Sequence, residues 1–169
     1  FNANKPILLV VGGSTGSVII NDTIRGSLEE LLKEFQVIHL CGKDKLDPSL
    51  EGREGYVQYE YVKKELSSLL AASDIVVSRA GANAICELLA INKPNLLIPL
   101  SAAASRGDQI LNANSFKHQG FSYVLEEEEL NCETLLAGIH DVYNNRETYK
   151  ASMSSSETSN SIEVITNLI

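Results

Sequence analysis

Strand-length apolar runs alternate with helix-period patterns along the whole chain, which predicts the α/β class with a parallel sheet covered by helices on both faces. Two further observations point the same way. The first run, residues 6–11, is continuously apolar instead of alternating with polar residues, as in a strand buried on both faces. Several runs also end in glycine or small-residue turns that lead into a helical pattern. The expected architecture is a Rossmann-like three-layer sandwich, with ligands at the carboxyl ends of the strands.

Taken in order, residues 6–11 (Pro-Ile-Leu-Leu-Val-Val) form the first predicted strand, ending in Gly12-Gly13-Ser14-Thr15-Gly16-Ser17. Ile20, Ile24, Leu28, Leu31, Leu32 and Phe35 then share one helix face. A second strand is expected at 36–40, stopped by Gly42, and a charged loop with Pro48, Gly52 and Gly55 follows over 43–55. The third strand is read at 56–62, a short helix around Leu66, Leu69 and Leu70, and a fourth strand at 75–77. Beyond Ser78-Arg79-Ala80-Gly81 the pattern predicts a helix over 83–91 and a fifth strand at 95–98. A helix over 108–119, a strand at 122–125, a solvated acidic turn at 126–129 and a helix over 131–144 complete the regular pattern. Residues 152–161, rich in Ser, Thr and Glu, read as a flexible connection or a helix end, and 162–169 as a short helix.

The chain has 169 residues, 44% hydrophobic and 21% charged, with a formal net charge of −8. That suits one globular domain and argues against nucleic acid as a partner. No apolar run approaches the ~20 residues of a membrane span. Cys41, Cys86 and Cys132 are odd in number and widely spaced, as are His39, His118 and His140. Free thiols and no metal site are expected. The first residue is Phe1, so the sequence reads as a piece of a longer protein.

Three segments carry chemistry. Gly12 to Gly16 joins a buried strand to a helix, where free N–H groups and the helix dipole suit a phosphate and Ser14 adds a hydroxyl. A tight turn with no ligand is the competing reading. The loop fits neither G-x-G-x-x-G nor the lysine-bearing P-loop. In the second segment, small residues Ala80, Gly81 and Ala82 allow a ligand close to backbone, and Asn83 is placed to cap the helix. Glu87 lies one turn further on the same face, placed to accept from both hydroxyls of a ribose, or else simply solvated. In the third, Asp108 sits at a helix start, while Gln109 and Asn112 share a face and offer neutral amides to sugar hydroxyls. Plain capping by Asp108, with Gln109 in solvent, is the alternative.

In this order and on these elements, the segments resemble the donor-binding, C-terminal half of MurG-type glycosyltransferases, which have the two-domain GT-B architecture. The residues that carry the resemblance are Gly12-Gly13-Ser14-x-Gly16, Ser78-Arg79-Ala80-Gly81-Ala82 with Glu87, Lys93-Pro94 before an apolar strand ending at Pro99, and Gln109-x-x-Asn112-Ala113. The resemblance implies that Ser14 and Gly16 meet the donor diphosphate. It places Val62, after Tyr61, at the uracil and Arg79 near the nucleotide. It gives Ala82 backbone contacts, sets Asn83 and Ala84 beside the diphosphate and sugar, and puts Glu87 on the ribose. Asp108 and Gln109 then read the N-acetylglucosamine hydroxyls. The chain departs from the usual pattern at Ser17, at the Asn83-Ala84 pair and at Asp108.

The function so implied is inverting transfer of N-acetylglucosamine from its UDP derivative to the 4-hydroxyl of N-acetylmuramic acid on lipid I, giving lipid II. A helix N-terminus and loop amides would stabilise the leaving diphosphate without a metal, and the sequence has no Asp-x-Asp pair. No cofactor is expected. The general base, the lipid acceptor site and the membrane contact belong, by the same resemblance, to an N-terminal domain outside this chain. The whole enzyme is then peripheral to the cytoplasmic face of the cell membrane, and this piece binds donor without catalysing. Competing functions are another GT-B UDP-sugar enzyme (a lipid glucosyltransferase or a 2-epimerase) and a non-catalytic Rossmann module for NAD or an adenine nucleotide. The second strand ends His39-Leu40-Cys41-Gly42, without the acidic residue an NAD site places there.

Overall fold

The computed structural model describes residues 4–12, 17–60, 62–101 and 107–155. Ser14, Gly16, Tyr61, the loop over 102–106 and the expectations for 156–169 lie outside these residues. Six strands, β1 (Ile7–Val11), β2 (Gln36–Leu40), β3 (Tyr56–Tyr59), β4 (Ile75–Ser78), β5 (Asn95–Leu97) and β6 (Ser122–Val124), form one sheet. Their order is β3-β2-β1-β4-β5-β6 and every pairing is parallel. The strand order reverses between β1 and β4, so a crevice opens there beyond their carboxyl ends, where Val11 pairs with Ser78.

The helices are α1 (Val18–Gly26), α2 (Leu28–Glu34), α3 (Leu66–Ala72), α4 (Ala82–Ala90), α5 (Asp108–His118) and α6 (Cys132–Asn144). Alternate strand residues face opposite layers. Leu8, Val10, Val37, Ile75, Val77 and Leu96 pack with α1, α2 and α6 through Ile20, Ile24, Leu31, Leu135 and Ile139. Leu9, Ile38, Val76 and Leu97 pack with α3, α4 and α5 through Leu70, Ile85, Leu88, Ala113 and Phe116. Both sheet faces are therefore covered by helices, which is why β1 reads as an unbroken apolar run and β4 nearly so. Burying each of these large aliphatic side chains is worth about 1.5–3 kcal/mol.

Three sequence expectations are corrected, and a fourth, left open between two readings, is decided. The first amphipathic stretch is two helices, because Ser27 turns its hydroxyl back to Thr23 O at 2.8 Å beside Gly26. Gly26 also lets α6 approach, since a Cβ there would lie 3.1 Å from Cys132 Sγ. β3 ends at Tyr59, short of the predicted Val62, because only four residues pair with β2. α4 is capped by Gly81, in an extended conformation (φ −67°, ψ 149°), so Asn83 is already inside the first turn. Residues 152–155 are helical with Met153 buried in the core, so of the two readings for this part of the serine-rich tail the helix end holds and the flexible connection does not.

Candidate functional site

β4 delivers Arg79, Ala80 and Gly81 to the crevice, and Gly81 opens α4 without a side-chain cap. The first intrahelical bond runs from Ile85 N to Gly81 O at 3.0 Å. The N–H groups of Ala82, Asn83 and Ala84 therefore have no partner within the helix and point out of its positive end. Ala82 and Asn83 are exposed and Gly81 and Ala84 half-buried, so a ligand can reach these amides.

Glu87 follows one turn into α4 and is exposed. Its carboxylate has no hydrogen-bond or ion-pair partner among the described residues. With Ala84 it borders a small cleft floored by Val11, Leu66, Leu70 and Ser78, between the ends of β1 and β4 and helix α3. A carboxylate held at the rim of an apolar cleft is placed to accept hydrogen bonds from neighbouring hydroxyls. Val62, half-buried beyond β3, packs on the same side of the sheet as Leu66 and Leu70.

α5 begins at Gly107, whose φ of 88° is a left-handed conformation that favours glycine. Asp108 is exposed in its first turn, where a carboxylate is favoured. Gln109 and Asn112 share a face, as the spacing predicts, and that face is turned onto the strand ends. Gln109 Oε1 accepts from Ala80 N at 3.3 Å and Leu100 N at 2.9 Å, and Asn112 Nδ2 donates to Ala80 O at 3.0 Å. The amides thus fasten α5 to the loops after β4 and β5. Gln109 is not in solvent, and its Nε2 lies 3.8 Å from where a Cβ on Gly81 would stand. The structure brings Gln109 and Asn112 together on Ala80 beside Gly81, with Ala82, Asn83, Ala84 and Glu87 running away along α4, while the Arg79 side chain is engaged elsewhere.

Arg79 is half-buried and braced on three sides. Nη2 donates to Ser17 Oγ at 2.8 Å and pairs with Glu127 Oε1 at 2.5 Å, while Nη1 donates to Ile98 O at 3.2 Å. Sequence reasoning missed both acidic and hydroxyl partners. Ser17 is the N-cap of α1, its Oγ accepting from Ile20 N at 3.3 Å, and a serine just before a helical pattern is the signal that would have found it. Glu127 sits in a 3-10 turn (Glu127–Glu129) within a run of four glutamates. Glu126, Glu128 and Glu129 are exposed as a solvated turn requires, but Glu127 is tucked in against Arg79. Nothing in the run distinguishes it.

A second polar cluster lies under the carboxyl end of β2. His39, fully buried, shares hydrogen bonds with Tyr56 Oη at 2.7 Å and Asn21 Oδ1 at 2.8 Å. Asn21 Nδ2 donates to Cys41 O at 2.8 Å. Burial, helped by the nearby Arg25 guanidinium, pushes the His39 pKa down to about 3, so the ring is neutral. Arg25 Nη2 contacts Lys45 O at 2.7 Å and Gln58 Oε1 at 3.0 Å, with Cys41 Sγ at 3.3 Å. Burial raises the Cys41 thiol above its usual pKa.

At the opposite end of the sheet a cavity of about 600 Å³ opens between Lys5, Phe35, Gln36, Arg53 and Gly55. It meets the amino ends of β2 and β3, where none of the described helices presents its N-terminus, whereas ligands of such sheets bind beyond the carboxyl ends of the strands. No group of three His, Cys, Asp or Glu side chains is placed to hold a metal among the described residues, and no described helix is long and apolar enough to cross a membrane.

Comparison with known proteins fits this geometry. The family model described as the glycosyltransferase family 28 C-terminal domain matches residues 7–168. A relative from Lachnospira eligens is 62% identical over all of this chain and 48% of its own length. It is named UDP-N-acetylglucosamine–N-acetylmuramyl-(pentapeptide) pyrophosphoryl-undecaprenol N-acetylglucosamine transferase. A Clostridium botulinum protein of the same name is 56% identical over the same 100% of this chain and 48% of its own. The chain thus spans about half the length of the curated relatives it matches. Among solved structures, Acinetobacter baumannii MurG superposes with a TM-score of 0.73 at 21% identity, over 90% of this chain and 45% of that one. The glycosyltransferase of kitacinnamycin gives 0.75 at 18%, over 89% and 38%. These superpositions show the fold, one half of a GT-B glycosyltransferase. The sequence match shows the family: the chain belongs to glycosyltransferase family 28, as its C-terminal domain.

Proposed function

We propose that this chain is the donor-binding half of an inverting N-acetylglucosaminyltransferase of peptidoglycan synthesis. It holds UDP-N-acetylglucosamine for attack by the 4-hydroxyl of N-acetylmuramic acid on the undecaprenyl pyrophosphate-linked acceptor, lipid I. The observation that carries the reading is a 62% identical relative of that name, matched along the entire chain. The geometry supports it: an uncapped helix N-terminus at the topological switch point, with a free carboxylate one turn along.

In this reading the displacement at the anomeric carbon builds negative charge on the departing β-phosphate. The amides of Ala82, Asn83 and Ala84 and the positive end of α4 stabilise that charge, fixed in place before the reaction begins. The loop carrying Ser14 and Gly16 completes the diphosphate site. Glu87 accepts from the ribose hydroxyls and Val62 offers backbone to the uracil. Asp108 reads the sugar hydroxyls. Gln109 Oε1 is committed to backbone, so its Nε2 is the group left for the sugar. The base that takes the acceptor proton, the lipid acceptor site and the contact with the cytoplasmic membrane face lie outside this chain, which therefore binds donor without transferring.

Calorimetric titration of the chain with UDP-N-acetylglucosamine, UDP-glucose, UDP and NAD tests this. The uridine ligands should bind, with UDP-N-acetylglucosamine tightest, and no sugar should be transferred. Tighter UDP-glucose binding would point to a different UDP-sugar enzyme, and binding of NAD alone would replace the reading with a dinucleotide module.

A further inference from the structure

Arg79 is the first residue beyond β4, and its three partners each come from the end of a different strand. Ser17 follows β1 and caps α1, Ile98 lies directly beyond β5, and Glu127 stands in the turn beyond β6. One guanidinium thus ties the segments that follow β4, β5 and β6 to the cap of α1. Nη2 carries two N–H groups, and both are engaged, one by Ser17 Oγ and the other by Glu127 Oε1. Both charged side chains are mostly withdrawn from water, at 12% and 18% exposure. A guanidinium this deep needs a counter-charge to stay where it is, because an unpaired charge would turn toward water or toward an arriving anion.

From this we infer that Glu127 is a positioning residue of the donor site, acting through Arg79. Resting on the donor reading above, the inference gives Arg79 a different part from that of a free phosphate clamp. Its charge is already neutralised, and what it supplies is the fixed relation between the cap of α1 and the start of α4, the two helix ends that flank the switch point. Glu127 holds that brace from the far edge of the sheet. The turn is built for it: Glu129 N bonds to Glu126 O at 3.0 Å and Leu130 N to Glu127 O at 3.1 Å, which leaves Glu127 inward and its three acidic neighbours outward.

The test is a double-mutant cycle on the chain, comparing wild type, Glu127→Gln, Arg79→Met and the double variant. UDP and uridine affinities are measured by calorimetry and folding is checked by circular dichroism. Glutamine keeps an accepting Oε1 but loses the charge. Glu127→Gln is expected to weaken UDP about fivefold or more, a coupling of ordinary size for a contacting charged pair, while leaving uridine, which has no phosphate, unchanged. In the Arg79→Met background the same substitution should have no further effect. Should Glu127→Gln fail to fold, Glu127→Asp, which keeps the charge on a shorter arm, serves the same comparison. Equal loss for uridine and UDP would mean general loosening and would overturn the inference. So would an undiminished loss in Arg79→Met, or UDP binding unchanged or tightened in Glu127→Gln. A wild-type chain that binds no UDP would instead bring down the donor reading itself.

Discussion

Two polar clusters stand at the carboxyl end of the same sheet, and they are finished differently. Around His39 both ring nitrogens, the Asn21 amide and the Tyr56 hydroxyl are paired with one another inside the protein. Around α4 the amides of Ala82 to Ala84 and the Glu87 carboxylate are left open to solvent. A closed cluster spends its hydrogen bonds on holding α1 to β2 and β3. An open one contributes little to folding and keeps its hydrogen bonds for a ligand. Polar residues at strand ends are therefore not equivalent, and the pairing state separates support from recognition.

The comparison predicts opposite effects of substitution. The largest is His39→Ala, which orphans Asn21 Oδ1 and Tyr56 Oη and opens a cavity. It should cost about 3–5 kcal/mol in urea unfolding while the folded fraction keeps its donor affinity. The same residue sets a pH dependence. Its folded pKa is lowered from 6.5 to about 3, so the stability it contributes is complete above pH 6.5 and is lost as pH falls toward 3. The slope from this one proton is at most about 1.4 kcal/mol per pH unit. His39→Gln, whose amide both donates and accepts, should flatten that slope in urea midpoints taken across pH 4 to 7.

Next in size is Glu87→Ala. Hydrogen bonds to a charged group are worth about 1.5–3 kcal/mol, so UDP-sugar affinity should fall about ten- to a hundredfold in a titration. The unfolding free energy should stay within about 0.5 kcal/mol of wild type. Loss of stability without loss of affinity would reverse the assignment of the two regions. Gln109→Ala falls between them: removing the acceptor for Ala80 N and Leu100 N should cost about 1–2 kcal/mol of stability and weaken donor binding as α5 loosens. The smallest effect is expected from Lys33→Ala, on the exposed pair with Glu30, where the unfolding midpoint should not move measurably.

β1 and β4 were the most legible strands, because burial on both faces writes them as runs of Ile, Leu and Val, and the ends at Gly12, Gly42 and Gly81 were punctuated by glycine. The positions of Arg79, Gly81, Glu87 and Gln109 at strand and helix ends followed from that frame. The cap of α4 was misplaced by two residues because Asn83 is the better capping residue type, whereas the chain uses Gly81 and leaves the amides uncapped. The break at Ser27 was hidden because Ile24 and Leu28 keep the apolar period across it. Ser17 was legible as a helix cap, but its pairing with Arg79, and the other partners of His39 and Arg79, were not. Asn21, Tyr56, Ser17 and Glu127 are brought to them by sheet pairing and by turns between distant segments, and a side-chain contact at such separation leaves no local pattern. Gln109 shows the limit from the other side: its face was read correctly, but not that the face would be taken up by backbone.

The most direct test of donor binding at the open cluster is amide chemical-shift mapping of isotope-labelled chain as UDP-N-acetylglucosamine is added. The account predicts perturbations at Val62, at Gly81 through Glu87 and at Asp108 through Asn112, with His39 and the far-end cavity at Lys5, Arg53 and Gly55 unmoved. Shifts confined to that far cavity, or spread over the β2 and β3 edge while the α4 amides stay silent, would contradict it.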